Sequence, residues 1–186
     1  MRDIQDTELF LSLAEIAGVF VGFGALIAVR SGGASDAHQV AYVRSMVSIA
    51  IWVAVAALAP MTLSGYGLAG HELWLVCSLL ALVLILGVWA ANYRTPEMRQ
   101  ELAAASRVEL VRESAIELTM LAVLLAALVL VVIGLVPDQE HALYLTAVEA
   151  GLLITALTLL FLVFSQRPPQ TAPDPAELPA SGGSSA

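Results

Sequence analysis

Lysine is absent from this chain of 186 residues, and its eight basic residues are all arginine. Cysteine occurs once, at Cys77, so the chain cannot form an internal disulfide. Charged residues make up only 13% of the sequence and the formal net charge is -8. A basic surface, which nucleic-acid binding requires, is therefore not available. We expect no nucleic-acid partner.

Several motifs that mark common catalytic sites are also missing. The sequence has no P-loop, no GxSxG and no HExxH. No cysteine–histidine pair of the nucleophilic type stands out either. We therefore expect no cofactor, and a non-enzymatic role is favoured.

What the sequence has in abundance is hydrophobic residues, at 59% with a mean hydropathy of +0.86. Typical soluble domains are about 45–50% apolar. The excess is gathered into five apolar runs, each long enough as a helix to cross a hydrocarbon core of about 30 Å. Helices satisfy their own backbone in lipid, so we predict an all-α, polytopic membrane helix bundle with five transmembrane helices. The predicted spans are 9–29, 42–63, 73–93, 116–136 and 142–164.

The predicted organisation is a five-helix transmembrane domain over 1–164 and a Pro-rich disordered tail over 165–186. The segment 95–115 begins with Thr and Pro and is rich in helix formers, so we expect a helical cytoplasmic loop there. Aromatic residues near the run ends predict an interfacial belt. These are Tyr42, Trp74, Trp89 and Tyr144.

Arginine placement predicts the orientation. With five spans, Arg2 alone falls on one side, and the other seven arginines fall on the opposite side. The positive-inside rule then places the N-terminus outside and the C-terminus in the cytoplasm. Complete replacement of lysine by arginine is typical of GC-rich bacterial genomes, so the predicted location is the bacterial plasma (inner) membrane.

Two acids fall deep within predicted spans, Glu15 in the first and Glu149 in the fifth. Acids inside a membrane segment are costly and mark candidate functional positions. Counting residues from the outer boundary places both at a similar depth. Gly18 and Gly22 lie on the same helix face as Glu15 and form a GxxxG pair, which favours close helix packing. We predict that Glu15 packs against another helix through these glycines, with Thr146 or Ser78 as candidate hydrogen-bond partners.

Three functional readings remain open. The first is a self-associating or partner-binding membrane component, in contact with lipid and forming a homo-oligomer or binding another membrane protein. The second is a small oligomeric ion or proton channel or transporter that uses Glu15 and Glu149. The third is a metalloenzyme, for which histidines and carboxylates in the outer loops supply candidate ligands. Those are His71, Glu72, Asp138, Glu140 and His141. Because no fixed-spacing metal signature is present, we interpret them first as solvated loop residues and predict no metal site.

The first helix carries an early acid, Glu15, then Phe-x-Gly-Phe at residues 20–23, then Arg30 near its inner end. In these features it resembles a group of small uncharacterised bacterial multi-pass membrane proteins. The resemblance covers mainly the first 30 residues. It implies a bacterial membrane protein and assigns no activity or functional residue.

Overall fold

The computed structural model describes residues 2–30, 37–94 and 107–165, and within these ranges it contains helices and turns but no strand. The all-α prediction is confirmed for this part of the chain. A 3-10 turn, Pro137–Gln139, precedes the last helix. The helices are α1 (Arg2–Arg30), α2 (Ala37–Gly65), α3 (Gly70–Tyr93), α4 (Arg107–Ile133) and α5 (Glu140–Ser165).

Four of these helices are long and apolar enough to cross a membrane, as the sequence predicts. α4 differs from its predicted span of 116–136, because its apolar part is the shorter segment Leu118–Ile133. Arginine and glutamate occupy the turns before Leu118, and the helix ends three residues earlier than expected. The count of five crossings therefore stays a prediction. The four longer segments are Thr7–Ile27, Val43–Gly65, Gly70–Ala91 and Pro137–Phe164.

Residues 107–115 belong to the same helix as the apolar part of α4. The remainder of the predicted helical loop, 95–106, lies outside the described residues, as does the predicted tail from 166 onward.

Four helices close into a ring, in which α2 contacts α3 and α5, and α4 contacts the same two neighbours. α1 packs along α2 on the outside of this ring and also touches α5. Apolar residues surround every helix rather than forming one stripe, which is typical of helices that are covered by protein on one side and lipid on the other. The helices pack around a core that includes Trp52, Leu124 and Tyr144.

Two tight connections join the helices at one end of the bundle. Gly67 and Gly70, between α2 and α3, adopt φ values of +89° and +60°, and Gly134 after α4 adopts +69°. Glycine reaches such angles without steric cost. The α2–α3 segment 65–70, GYGLAG, has the spacing of a dinucleotide fingerprint but follows a helix. That fingerprint requires a preceding strand, so these glycines form a turn.

Trp52 and Gly151 mark a close approach between α2 and α5. A Cβ placed on Gly151 would lie 2.6 Å from Cζ3 of Trp52, so only glycine fits beneath the indole. The indole Nε1 donates a hydrogen bond to the carbonyl oxygen of Ala81 in α3 at 2.8 Å. One buried side chain therefore connects three helices.

A second buried hydrogen bond compensates for a proline. Pro60 lies inside α2 and has no N–H, so the carbonyl of Ala56, four residues earlier, loses its helical donor. The hydroxyl of Tyr144 donates to this carbonyl oxygen at 2.7 Å. Tyr144 is fully buried, and its hydroxyl satisfies α2 inside the bundle; its place in an interfacial belt stays a prediction.

Candidate functional site

Glu15 lies on the outer side of α1. The residues of α1 that face the bundle are buried, among them Phe10, Leu13 and Ala17. At 3.6 residues per turn, Glu15 falls on the opposite side of the helix, and it is exposed. It makes no hydrogen bond or ion pair with any residue that the structure describes. A carboxyl group therefore stands on the exposed outer surface of the bundle.

Glu149 occupies the equivalent position on α5. Its neighbours Ala147, Val148 and Ala150 are buried, whereas Glu149 is exposed. Glu149 also has no hydrogen bond or ion pair within the described ranges. Both acids thus point away from the bundle, and neither lines its interior.

The two acids lie at the same level along the bundle. The rings of Phe10 in α1 and Tyr144 in α5 have centroids 6.2 Å apart, which fixes the relative height of the two helices. Glu15 and Glu149 each follow their ring by five residues, or about 7.5 Å at 1.5 Å per residue. Both helices run in the same direction from this end, so the two acids lie at a similar level along the bundle, and their common depth in a membrane stays a prediction.

The predicted contact of Glu15 through Gly18 and Gly22 is not made with any of the described residues. Both glycines are exposed, and a Cβ added to either would meet no atom within 4 Å. The close approach of α1 to α2 occurs instead at Gly24, where an added Cβ would collide with Val47. The buried face of α1 passes through Gly24, and the GxxxG pair lies away from it.

The predicted hydrogen-bond partners of Glu15 are engaged elsewhere or lie inside the bundle. Thr146 donates to the carbonyl oxygen of Ala142 in its own helix at 2.8 Å. Ser78 is fully buried on α3, whereas Glu15 lies on the exposed side of α1. Glu15 thus receives no partner from either residue.

The outer-loop metal candidates are only partly brought together. Nδ1 of His71 contacts Oε1 of Glu140, and Glu140 is buried while His71 is half exposed. Glu72 and Asp138 are exposed. Within the described ranges, no group of three or more His, Cys, Asp or Glu residues could hold a metal ion. The His71–Glu140 contact joins the start of α3 to the start of α5.

His141 belongs to a cluster of rings at the same end of the bundle. Its ring centroid lies 5.0 Å from that of Trp74 and 5.9 Å from that of Phe10, in edge-on arrangements. Trp74 and Tyr144 are 5.7 Å apart. The rings contact one another directly, and such pairs stabilise packing by about 0.5–1.5 kcal/mol each. The cluster fastens α1, α3 and α5 together.

In the part of the chain that the structure describes, fold and site together define an all-helical bundle with membrane-length apolar helices and two outward-facing acids at a similar level along the bundle. No protein-family model, no curated protein and no solved structure matches the chain. The function must therefore be argued from the site itself.

Proposed function

We propose that this chain is a five-span bacterial inner-membrane protein with a non-enzymatic role, and that it works by associating with other membrane helices through the outer faces of α1 and α5. The N-terminus lies outside and the C-terminus lies in the cytoplasm. Arginine content, arginine placement and the resemblance of the first helix support this location.

The relative placement of helix ends supports five crossings. The start of α1, the α2–α3 turn and the α4–α5 turn meet at one end of the bundle, where Phe10, Trp74 and His141 contact one another. α4 begins at the other end and finishes beside α5, because its last residues lead directly into the short connection 134–139. Its length matches that of its neighbours even though its apolar part is shorter.

The observation that carries the proposal is that Glu15 and Glu149 lie within apolar helices of membrane length and have no hydrogen bond or ion pair among the described residues. A charged side chain at a helix centre costs about 2.5–3.5 kcal/mol on the insertion scale. The apolar residues of α1 offset this cost for insertion, since each contributes about 0.3–0.6 kcal/mol. They give the carboxyl group no hydrogen bond, however. Another helix that covers Glu15 and Glu149 would supply one.

Site-specific photo-cross-linking in the native membrane tests the proposal. A photoreactive residue at Gly22 should form a protein adduct, because the outer face of α1 is covered by another helix. The same residue at Leu86 serves as a control, because Leu86 is exposed on α3 at a matching height. Both positions lie twelve residues after rings that contact each other, Phe10 and Trp74. Adducts with lipid alone at Gly22 would contradict the proposal.

A channel or transporter is the second candidate, and the common level of Glu15 and Glu149 favours it. In a symmetric oligomer the acids would form a ring at one depth, which is a recurrent way of selecting cations. The packed bundle interior contains neither acid, so a pathway would run between chains. Proton and cation flux in liposomes should then be lost in Glu15→Gln while the protein still assembles. No flux through the parent protein would dismiss this candidate.

A further inference from the structure

We infer that the occupant of both faces is a second copy of this chain, with the outer face of α1 in one copy packed against the outer face of α5 in the next. This inference rests on the proposed function and names its partner. We define the α1 face as Glu15, Gly18, Val19 and Gly22, and the α5 face as Thr146, Glu149 and Leu153.

Depth is the first argument. Copies inserted in the same orientation are related by rotation about an axis along the membrane normal, and such a rotation preserves depth. Glu15 of one copy and Glu149 of the next are therefore brought to the same level without any shift along the helices. Two carboxyl groups in contact can share one proton, so that one donates a hydrogen bond to the other. The contact supplies each acid with the partner that the described part of its own chain does not provide.

The number of acids that are covered favours this arrangement over a contact of α1 with α1. An α1–α1 dimer would cover Glu15 twice and leave both copies of Glu149 exposed to lipid. The α1–α5 contact covers one acid from each copy at every interface. A head-to-tail contact of this kind leads to a closed ring when the rotation closes. Each ring then contains as many Glu15–Glu149 pairs as it has chains.

Shape provides a third argument. Leu153 lies nine residues after Tyr144, and Gly18 and Gly22 lie eight and twelve residues after Phe10. In depth, Leu153 therefore falls between the two glycines. Neither glycine has any atom near its missing Cβ, so the α1 face offers a shallow space where a leucine side chain fits. Small residues that face a larger neighbour are the usual means of close helix packing in membranes.

Cysteine cross-linking between differently tagged copies tests the arrangement. One copy carries Val19→Cys and the other carries Leu153→Cys. Both native side chains are exposed. Val19 lies nine residues after Phe10 and Leu153 lies nine residues after Tyr144, whose rings contact each other. The native Cys77 is fully buried and remains as an internal negative control. The expected result is a disulfide that joins the two tags. Val83→Cys replaces Leu153→Cys in the matched control, since Val83 is 67% exposed on α3, nine residues after Trp74.

Three other outcomes would overturn the inference. Cross-linking of Val19→Cys copies with one another, without the mixed product, would indicate an α1–α1 contact. Equal cross-linking of Val19→Cys with Leu153→Cys and with Val83→Cys would indicate random collision. The third outcome is that no cross-link forms and the protein has the mass of a single chain. If a photoreactive residue at Gly22 still forms a protein adduct, the occupant is then a different membrane protein. Without that adduct, the proposed function would fail as well.

Discussion

The hydrogen bond from Tyr144 to Ala56 can be tested because its contribution to stability depends on Pro60. Tyr144→Phe removes the hydroxyl donor and keeps the ring, so the buried packing stays the same. In the parent protein the tyrosine hydroxyl lies 2.7 Å from the carbonyl oxygen of Ala56. In Tyr144→Phe this oxygen has neither that hydroxyl nor a backbone N–H from residue 60 as a donor. An acceptor left unsatisfied in a protein interior costs about 1–3 kcal/mol, and we expect the free energy of unfolding to fall by that amount.

Pro60→Ala changes this expectation. Alanine restores an N–H four residues after Ala56, so the carbonyl regains its helical partner. Tyr144→Phe in the Pro60→Ala background should then cost about 0.6 kcal/mol or less, which is near the average for a single side-chain hydrogen bond between membrane helices. The two substitutions should therefore be coupled by roughly 1 kcal/mol, which exceeds the usual error of additivity for independent sites of about 0.3–0.5 kcal/mol.

Equilibrium unfolding in mixed detergent micelles, followed by circular dichroism, measures all four members of this double-mutant cycle. A coupling energy within the error of zero would refute the reasoning. It would mean that the Ala56 carbonyl does not need Tyr144 when Pro60 is present.

Three further predictions concern packing, the helix-end contact and topology. In the same unfolding assay, Gly151→Ala should destabilise the bundle by about 1–3 kcal/mol through overpacking. Gly87→Ala should not destabilise it by overpacking, because nothing lies within 4 Å of its missing Cβ. Equal effects of the two substitutions would contradict the close approach at Gly151. His71→Gln should lower the midpoint of thermal unfolding, because it weakens the contact to buried Glu140. As a control, Glu72→Gln replaces an exposed neighbour and should change stability by no more than about 0.5 kcal/mol. Reporter fusions at residues 66, 105 and 186 should read outside, inside and inside, and a cytoplasmic signal at residue 66 would refute the five-span topology.

The helical class and the similar level of the two acids along the bundle could be predicted because both depend on counting along one helix. Run length and hydropathy identify membrane-length helices. Glu15 and Glu149 reach a common level because each sits a similar number of residues inside its run. Neither prediction requires knowledge of how the helices pack.

The faces of the helices could not be predicted from the same information. α1 is apolar around most of its circumference, so its sequence does not mark which side packs on α2. Gly18 and Gly22 have the recognised spacing but lie outward, whereas Gly24 makes the close approach. Nothing in the local sequence distinguishes these three glycines, since the difference arises from Met46 and Val47 on the facing helix.

Tyr144 shows a signal that sequence reasoning could have used. Its position near the start of an apolar run favours the membrane interface. Pro60, however, already indicates a carbonyl in α2 that needs a donor from outside its own helix. Identifying Tyr144 as that donor still requires the relative heights of α2 and α5, which only the packed structure supplies.

The mass of the assembled protein in lipid nanodiscs tests the central claim most directly, because self-association through Glu15 and Glu149 requires more than one chain in each particle. Native mass spectrometry of the parent protein should give a mass of two or more times 19.5 kDa. The double variant Glu15→Leu/Glu149→Leu replaces both carboxyl groups with apolar side chains that are stable in contact with lipid. It should shift the population toward single chains. A parent protein that has the mass of one chain would contradict the claim.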